Sequence, residues 1–449
     1  MHIFRIKDGK SLSGNDDSRG PDSYIRFKVP ADGEYAVRIM DHLGRGGADF
    51  AYRVEFQPVV PKLTLGIPRV RRYSQDRQRI YVAKGNRFAT IISATRANFK
   101  GELQLEDMKL PQGINIVASP MPANLNTMPV VFEAAADAPL AGALVDFRAK
   151  VNDEKQNVSG RFENRADFVI AQPGQSLYSW KDVERIPVCV VDELPYTIEI
   201  VQPKVPMVRN GSLQLKIVAK KKEGWDEQIT VQFPFRPPGI GASSTIKIPK
   251  GKTEGLYPIS ANASAAIGKW PVYAIGSANV GGTAWAASQM ATIEVTEPYI
   301  NLALQRSSVE LGKETELVAT VEILKDLASP AKVKLLGLPH KVTAEELEIT
   351  KDTKELVFKV KTETDSPAGN HKNIFCSVVV TENNEPITHA RVGKTELRVD
   401  KPLPKPVAKP AKKAVPKPVA KAAPKPPAEK RLTRLEKLRL EAKKVAAEN

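Results

Sequence analysis

The sequence predicts an all-β chain: tandem β-sandwiches, then a disordered Lys/Pro/Ala-rich linker and a short C-terminal amphipathic helix. Three observations lead there. Runs of alternating, β-branched-rich residues punctuated by Gly, Pro and Asp recur through the first 400 residues. One spacing pattern appears three times within that stretch. Amphipathic helical periodicity is nearly absent before residue 428.

At 449 residues the chain exceeds one ordinary core. The repeat supplies the division. A strand pair precedes a Pro, and an Ala-Gly or Ala-x-Gly turn follows about thirty residues later. The strand pairs are Phe88–Ala94 with Glu102–Leu105, Leu213–Val218 with Ile229–Phe233, and Thr315–Ile323 with Ala331–Leu336. The separations Pro111–Gly142, Pro237–Gly268 and Pro339–Gly369 are 31, 31 and 30 residues. Copies recur every 100–125 residues or so, the size of a sandwich domain. Short joints close them at Val191–Tyr196, Val295–Tyr299 and Leu397–Pro402, which predicts end-to-end stacking with limited hinge freedom. The expected units are 1–60, 61–194, 195–297, 298–400, the linker 401–428 and the helix 429–449. An extra hairpin within Lys150–Lys181 lengthens the first copy and is a candidate contact surface.

The first sixty residues read differently. Asn15-Asp16-Asp17 leads to Tyr24-Ile25-Arg26-Phe27, then Ala31-Asp32-Gly33-Glu34-Tyr35, then Tyr52-Arg53-Val54. In order and spacing this run resembles the second half of the bacterial pre-peptidase C-terminal (PPC) domain. The resemblance implies strands at Tyr24–Phe27 and Tyr52–Val54 within a jelly-roll whose first half is missing. It also implies that the following copies are immunoglobulin-like modules of an exported bacterial protein, and that Met1 begins a fragment, or is a mis-called start, of a longer one. Some members of that family bind calcium. Asn15, Asp16, Asp17 and Asp22 cluster the oxygen donors that a hard cation takes, without the spacing of an EF-hand. An Asx-rich turn bonded to its own backbone is the alternative.

The net charge of +16 belongs mostly to the tail: residues 401–449 carry 15 Lys and Arg against 4 Asp and Glu, or +11, which leaves +5 on the other 400. Lys-Pro repeats up to Pro427 predict an extended polyproline-II spacer reaching on the order of 80 Å. Leu432, Leu435, Leu438, Ala442 and Val445 then form one apolar helical stripe. The residues expected to meet an anionic surface are Lys412, Lys413, Lys417, Lys430, Arg431, Arg434, Lys437, Lys443 and Lys444. An envelope polymer, a membrane surface or a protein partner fits them, and so does non-specific nucleic-acid binding.

Catalytic patterns are missing. His2, His42, His340, His371 and His389 have no metal-helix spacing, and there is no H-E-x-x-H, nucleophile elbow, P-loop or dinucleotide fingerprint. Cys189 and Cys376 fall in apolar strand runs of different repeats and read as small core residues. Trp180, Trp225, Trp270 and Trp285 read either as core plugs or as a platform for a polysaccharide. No run approaches ~18 apolar residues, the length of a membrane-spanning helix. The expectation is a non-enzymatic, cofactor-free spacer or adhesion scaffold of a cell envelope or exterior, with calcium as a candidate ion. Two alternatives stand beside it: the accessory C-terminal portion of a secreted peptidase or hydrolase, and a cytoplasmic protein that binds nucleic acid through its tail.

Overall fold

The computed structural model describes residues 1–18, 22–70, 78–153, 155–170 and 177–402, and every regular element among them is a β-strand. The tail from Leu403 onward, with its nine candidate basic residues, its spacer and its helix, lies outside the described residues. Alternation is the reason for strands. In Glu355–Thr362 each second side chain is buried and each other one exposed, the pattern of a strand with one face on a core.

Three sandwich cores follow in chain order. The first is built from a seven-stranded sheet, whose centre pairs Lys62–Gly66, Arg87–Ala97 and Thr127–Ala134, against a three-stranded sheet of Gly142–Val145, Ile186–Val191 and Ile80–Ala83. Leu65, Ile80, Phe132, Phe147 and Phe162 fill it. The second core holds Ile198, Leu215, Ile217, Val231, Phe233 and Tyr257. The third holds Leu302, Leu317, Val333, Phe358, Val378 and Leu397.

The thrice-repeated spacing has a concrete cause. Pro111, Pro237 and Pro339 each open a turn whose carbonyl accepts from the amide three residues on, Ile114, Ile240 and Val342, at 3.0–3.2 Å. The third turn residue has φ of 78° at Gly113, 80° at Gly239 and 61° at Lys341, the left-handed geometry that glycine adopts most readily. A second turn then packs on the first. Gly113 and Gly239 carbonyls accept from Ala135 and Asn262, and a Cβ on Gly239 would sit 2.4 Å from Ala265 Cα. In the third copy Lys341 keeps the same conformation, its carbonyl accepts from the Ser366 hydroxyl, and its ammonium pairs with Asp365 and Glu363.

Consecutive modules are joined by two different devices. Between the first and second, Ala89 and Val131 pack with Phe235, Tyr273, Ile275 and Ala287 in a separate apolar cluster. Asn86 Nδ2 donates across the same joint to the Tyr196 carbonyl at 2.9 Å. Between the second and third, the sheet itself is continuous: Gly211 and Ser212 of Gly211–Lys221 pair with His389 and Thr388 of Glu385–Asp400. The Asn210 carbonyl accepts from both Ala390 and Arg391. Tyr299 donates its amide to His389 Nε2 at 2.9 Å, and its hydroxyl lies between Lys325 and Glu382.

Two expectations need correction. The N-terminal unit forms strands only at His2–Arg5, Lys10–Gly14 and Tyr35–Arg38, in one three-stranded sheet. Tyr24–Phe27 and Tyr52–Val54 are not strands, and Tyr52 is 76% exposed. A strand needs a neighbour to take up its amides and carbonyls, and no sheet of the described residues offers one. The insertion in the first copy is two hairpins rather than one: Arg148–Val151 pairs Ser159–Phe162 within the main sheet, and Asn164–Ile170 pairs Leu177–Val183 as a separate two-stranded ribbon.

Candidate functional site

The histidines come together nowhere. His42 and His340 are exposed, His371 bonds the Pro367 carbonyl at 2.9 Å, His2 lies beside Phe4, and His389 is buried in a joint. Among the described residues no group of three or more His, Cys, Asp or Glu is arranged to hold a metal ion. Cys376 is buried, and burial pushes its thiol up to about 12. Cys189 is half-buried and its thiol is also raised by burial. Neither therefore has the exposed, electropositive setting of a reactive thiolate.

The Asn15 loop is a turn organised around one amide. Asn15 Oδ1 accepts from the Ser18 amide and hydroxyl and from the Tyr24 amide, the last at 2.9 Å. The Ser23 hydroxyl donates to the Asp16 carbonyl at 2.6 Å. Asp16, Asp17 and Asp22 side chains are exposed around it. The Asn15 side chain thus ties the backbone of its own loop together.

The four tryptophans separate. Trp270 is in the second core and donates to the Ala266 carbonyl at 2.8 Å. Trp225 stacks on Tyr196, with centroids 5.1 Å apart. Trp285 packs partly buried against the first core and the joint cluster. Trp180 alone of the four is exposed, at 47%, on the separate hairpin. On the same hairpin Phe168 is 68% exposed, and a register shift follows Asp167.

At the base of that hairpin is a cleft of about 510 Å³, lined in part by Arg69, Glu163, Asn164, Arg165, Asp167 and Asp182. Its floor is tightly bonded. Arg69 grips both carboxylate oxygens of Asp167, one at 2.9 Å, and donates to the Arg165 carbonyl at 2.8 Å. That guanidinium holds the Asp167 carboxyl below the usual carboxylate range, against the opposing effect of burial. Asn164 Oδ1 accepts from the Ile67 amide, while its amide nitrogen donates to Gln78. The rim is looser: Arg165 and Asp182 approach to 3.6 Å with both side chains at least half exposed, and Lys62 and Glu163 to 3.8 Å. Sequence reasoning flagged the insertion and Trp180 but not Arg69 or Asn164. Arg69 stands 98 residues from Asp167, and no local pattern joins them.

No protein-family model matches the chain, and no curated protein matches it significantly. Solved structures give loose likenesses. One is the Escherichia coli adhesin FdeC, 15% identical over 77% of this chain and 99% of that one, with a TM-score of 0.16. Another is domains 5–6 of the S-layer protein SbsC, 15% identical over 54% and 97%, with a TM-score of 0.20. A third is the fibronectin(III)-like modules of Clostridium thermocellum CbhA, 14% identical over 46% and 95%, with a TM-score of 0.18. Scores this low carry nothing to this chain beyond the likeness itself.

Proposed function

We propose that the chain is a non-enzymatic scaffold of a bacterial envelope or exterior: three β-sandwich modules held as one spacer, with the basic tail attaching them to an anionic surface. The observation that carries this reading is the pair of joints. Linked domains ordinarily keep relative freedom unless the contact between them is substantial. Here one joint is an apolar cluster and the other a continuous sheet, so both oppose bending. Attachment rests on the +11 of residues 401–449 against the near-neutral body. A charge-held protein leaves its surface as salt rises, because counterions screen the contact.

The test is fractionation of source cells with probes against the modules. The scaffold reading expects recovery with the envelope or the medium, release of the envelope-bound fraction by high salt, and loss of that fraction when residues 403–449 are deleted. Recovery in the cytoplasm, bound to nucleic acid through the tail, would contradict it.

A further inference from the structure

We infer that the exposed face of the hairpin Asn164–Ile170/Leu177–Val183, with the cleft at its base, binds a neutral glycan. This deepens the scaffold reading by giving one module a ligand class. The register brings the groups together. Asp167 pairs with Trp180 and Arg165 with Asp182, and residues directly opposite in an antiparallel pair share a face. One side of the ribbon therefore presents an indole, the Asp182 carboxylate and the Arg165 guanidinium, with Asp167 buried beneath Arg69 on the same side and Glu163 beside them.

The chemistry of the lining selects the ligand. Three carboxylates (Glu163, Asp167, Asp182) meet two guanidiniums (Arg69, Arg165) and the Lys62 ammonium on Glu163, so these groups offer no excess of positive charge to hold phosphate, sulfate or polyuronate. Their density of charge opposes a wholly apolar ligand. What remains is a molecule with alternating donors and acceptors and a flat apolar side. A pyranose fits: its C–H face lies on an indole, while neighbouring hydroxyls bridge a carboxylate and a guanidinium.

The division of labour in the site agrees. Arg69 is bonded to Asp167 and the Arg165 carbonyl, and Asn164 to Gln78 and the Ile67 amide, so the floor is preformed. Among the described residues the pairs Arg165–Asp182 and Lys62–Glu163 are long and exposed, so these groups can turn to hydroxyls at little cost. Arg165 lies 4.6 Å from the Trp180 ring centroid, and the ring remains about half exposed.

The experiment is affinity electrophoresis of the intact chain toward the cathode, through gels containing hydroxyethylcellulose, laminarin, galactomannan or arabinoxylan, with polygalacturonate as the anionic contrast. The expected result is retardation by at least one neutral polymer. Trp180→Ala should weaken it roughly tenfold, the size of one good aromatic contact, with Trp180→Phe retaining part and Asp182→Ala weakening it as well. Melting temperatures should stay unchanged, since Trp180 and Asp182 are exposed. Retardation by none of the four neutral polymers, or retardation indifferent to Trp180→Ala, overturns the site. Retardation by polygalacturonate alone assigns binding to the basic tail and overturns it too. An envelope-bound chain that fails here loses the glycan site and keeps the scaffold, whereas a cytoplasmic chain loses the scaffold by fractionation.

Discussion

The two joints between modules perform one task with opposite materials. The first buries Phe235, Tyr273 and Ile275 against Ala89 and Val131, with no histidine, carboxylate or amine among these side chains. The second places a histidine, 1% exposed, at the point where two modules share a sheet. His389 Nε2 accepts from the Tyr299 amide, so the neutral ring carries its proton on Nδ1. That nitrogen faces the Val378 and Ile387 carbonyls without reaching hydrogen-bond geometry with either. The difference teaches that apolar packing resists a change of pH, while a buried polar joint is tied to one protonation state.

Truncating the apolar joint should have the largest effect. Phe235→Ala is expected to lower unfolding stability by about 3–5 kcal/mol, read from urea midpoints with the slope checked. A loss below about 1 kcal/mol would mean that the two modules do not support each other.

Acid should separate the joints next. Burial lowers the His389 pKa to about 4 from an ordinary 6.5. Between those values the unfolded chain binds more protons, so stability falls as the pH drops from about 6.5 to about 4 and the loss levels off below. The full difference is about 3 kcal/mol. The charges facing this joint are Lys325 and Glu382 on the Tyr299 hydroxyl, with Arg391 two residues along the strand. His389→Gln can accept from the Tyr299 amide without titrating. Its stability-against-pH curve should be flatter than that of the wild-type chain over this window, and parallel curves would remove His389 from the account.

A smaller effect is expected at the sheet crossing. A Cβ on Gly211 would lie 2.5 Å from the Thr388 carbonyl and 2.7 Å from that of Val208. Gly211→Ala should therefore cost about 1–3 kcal/mol and raise amide exchange at Ala390 and Arg391. Unchanged exchange there would show that the modules do not depend on the shared sheet. Smallest of all is Lys222→Ala. Lys222 pairs with Glu193 beside the first joint, but both side chains are at least half exposed. The urea midpoint should not move measurably.

The modules were legible in the sequence because their signals are local. Period-2 burial in Glu355–Thr362 and the Pro-x-Gly turns at Pro111 and Pro237 need only a few consecutive residues. Lys341 hid the same turn in the third copy, yet the Pro339–Gly369 spacing still exposed it. The sheet crossing at Gly211 and His389 was not legible, since pairing across 178 residues leaves no local trace. Arg69 was invisible as a partner of Asp167 for the same reason. The N-terminal reading failed at Tyr52–Val54, because motif order describes residues but does not supply the neighbouring strand they would pair with.

The most direct test of the scaffold is a distance distribution across both joints. Nitroxides carried by a non-native amino acid at Lys109 and Lys351, exposed in the first and third modules, leave Cys189 and Cys376 untouched. Pulsed dipolar spectroscopy should give a single narrow peak at neutral pH, broadening toward pH 4 in the wild-type chain more than in His389→Gln. A broad distribution at neutral pH would mean that the modules move independently, and would contradict the rigid spacer.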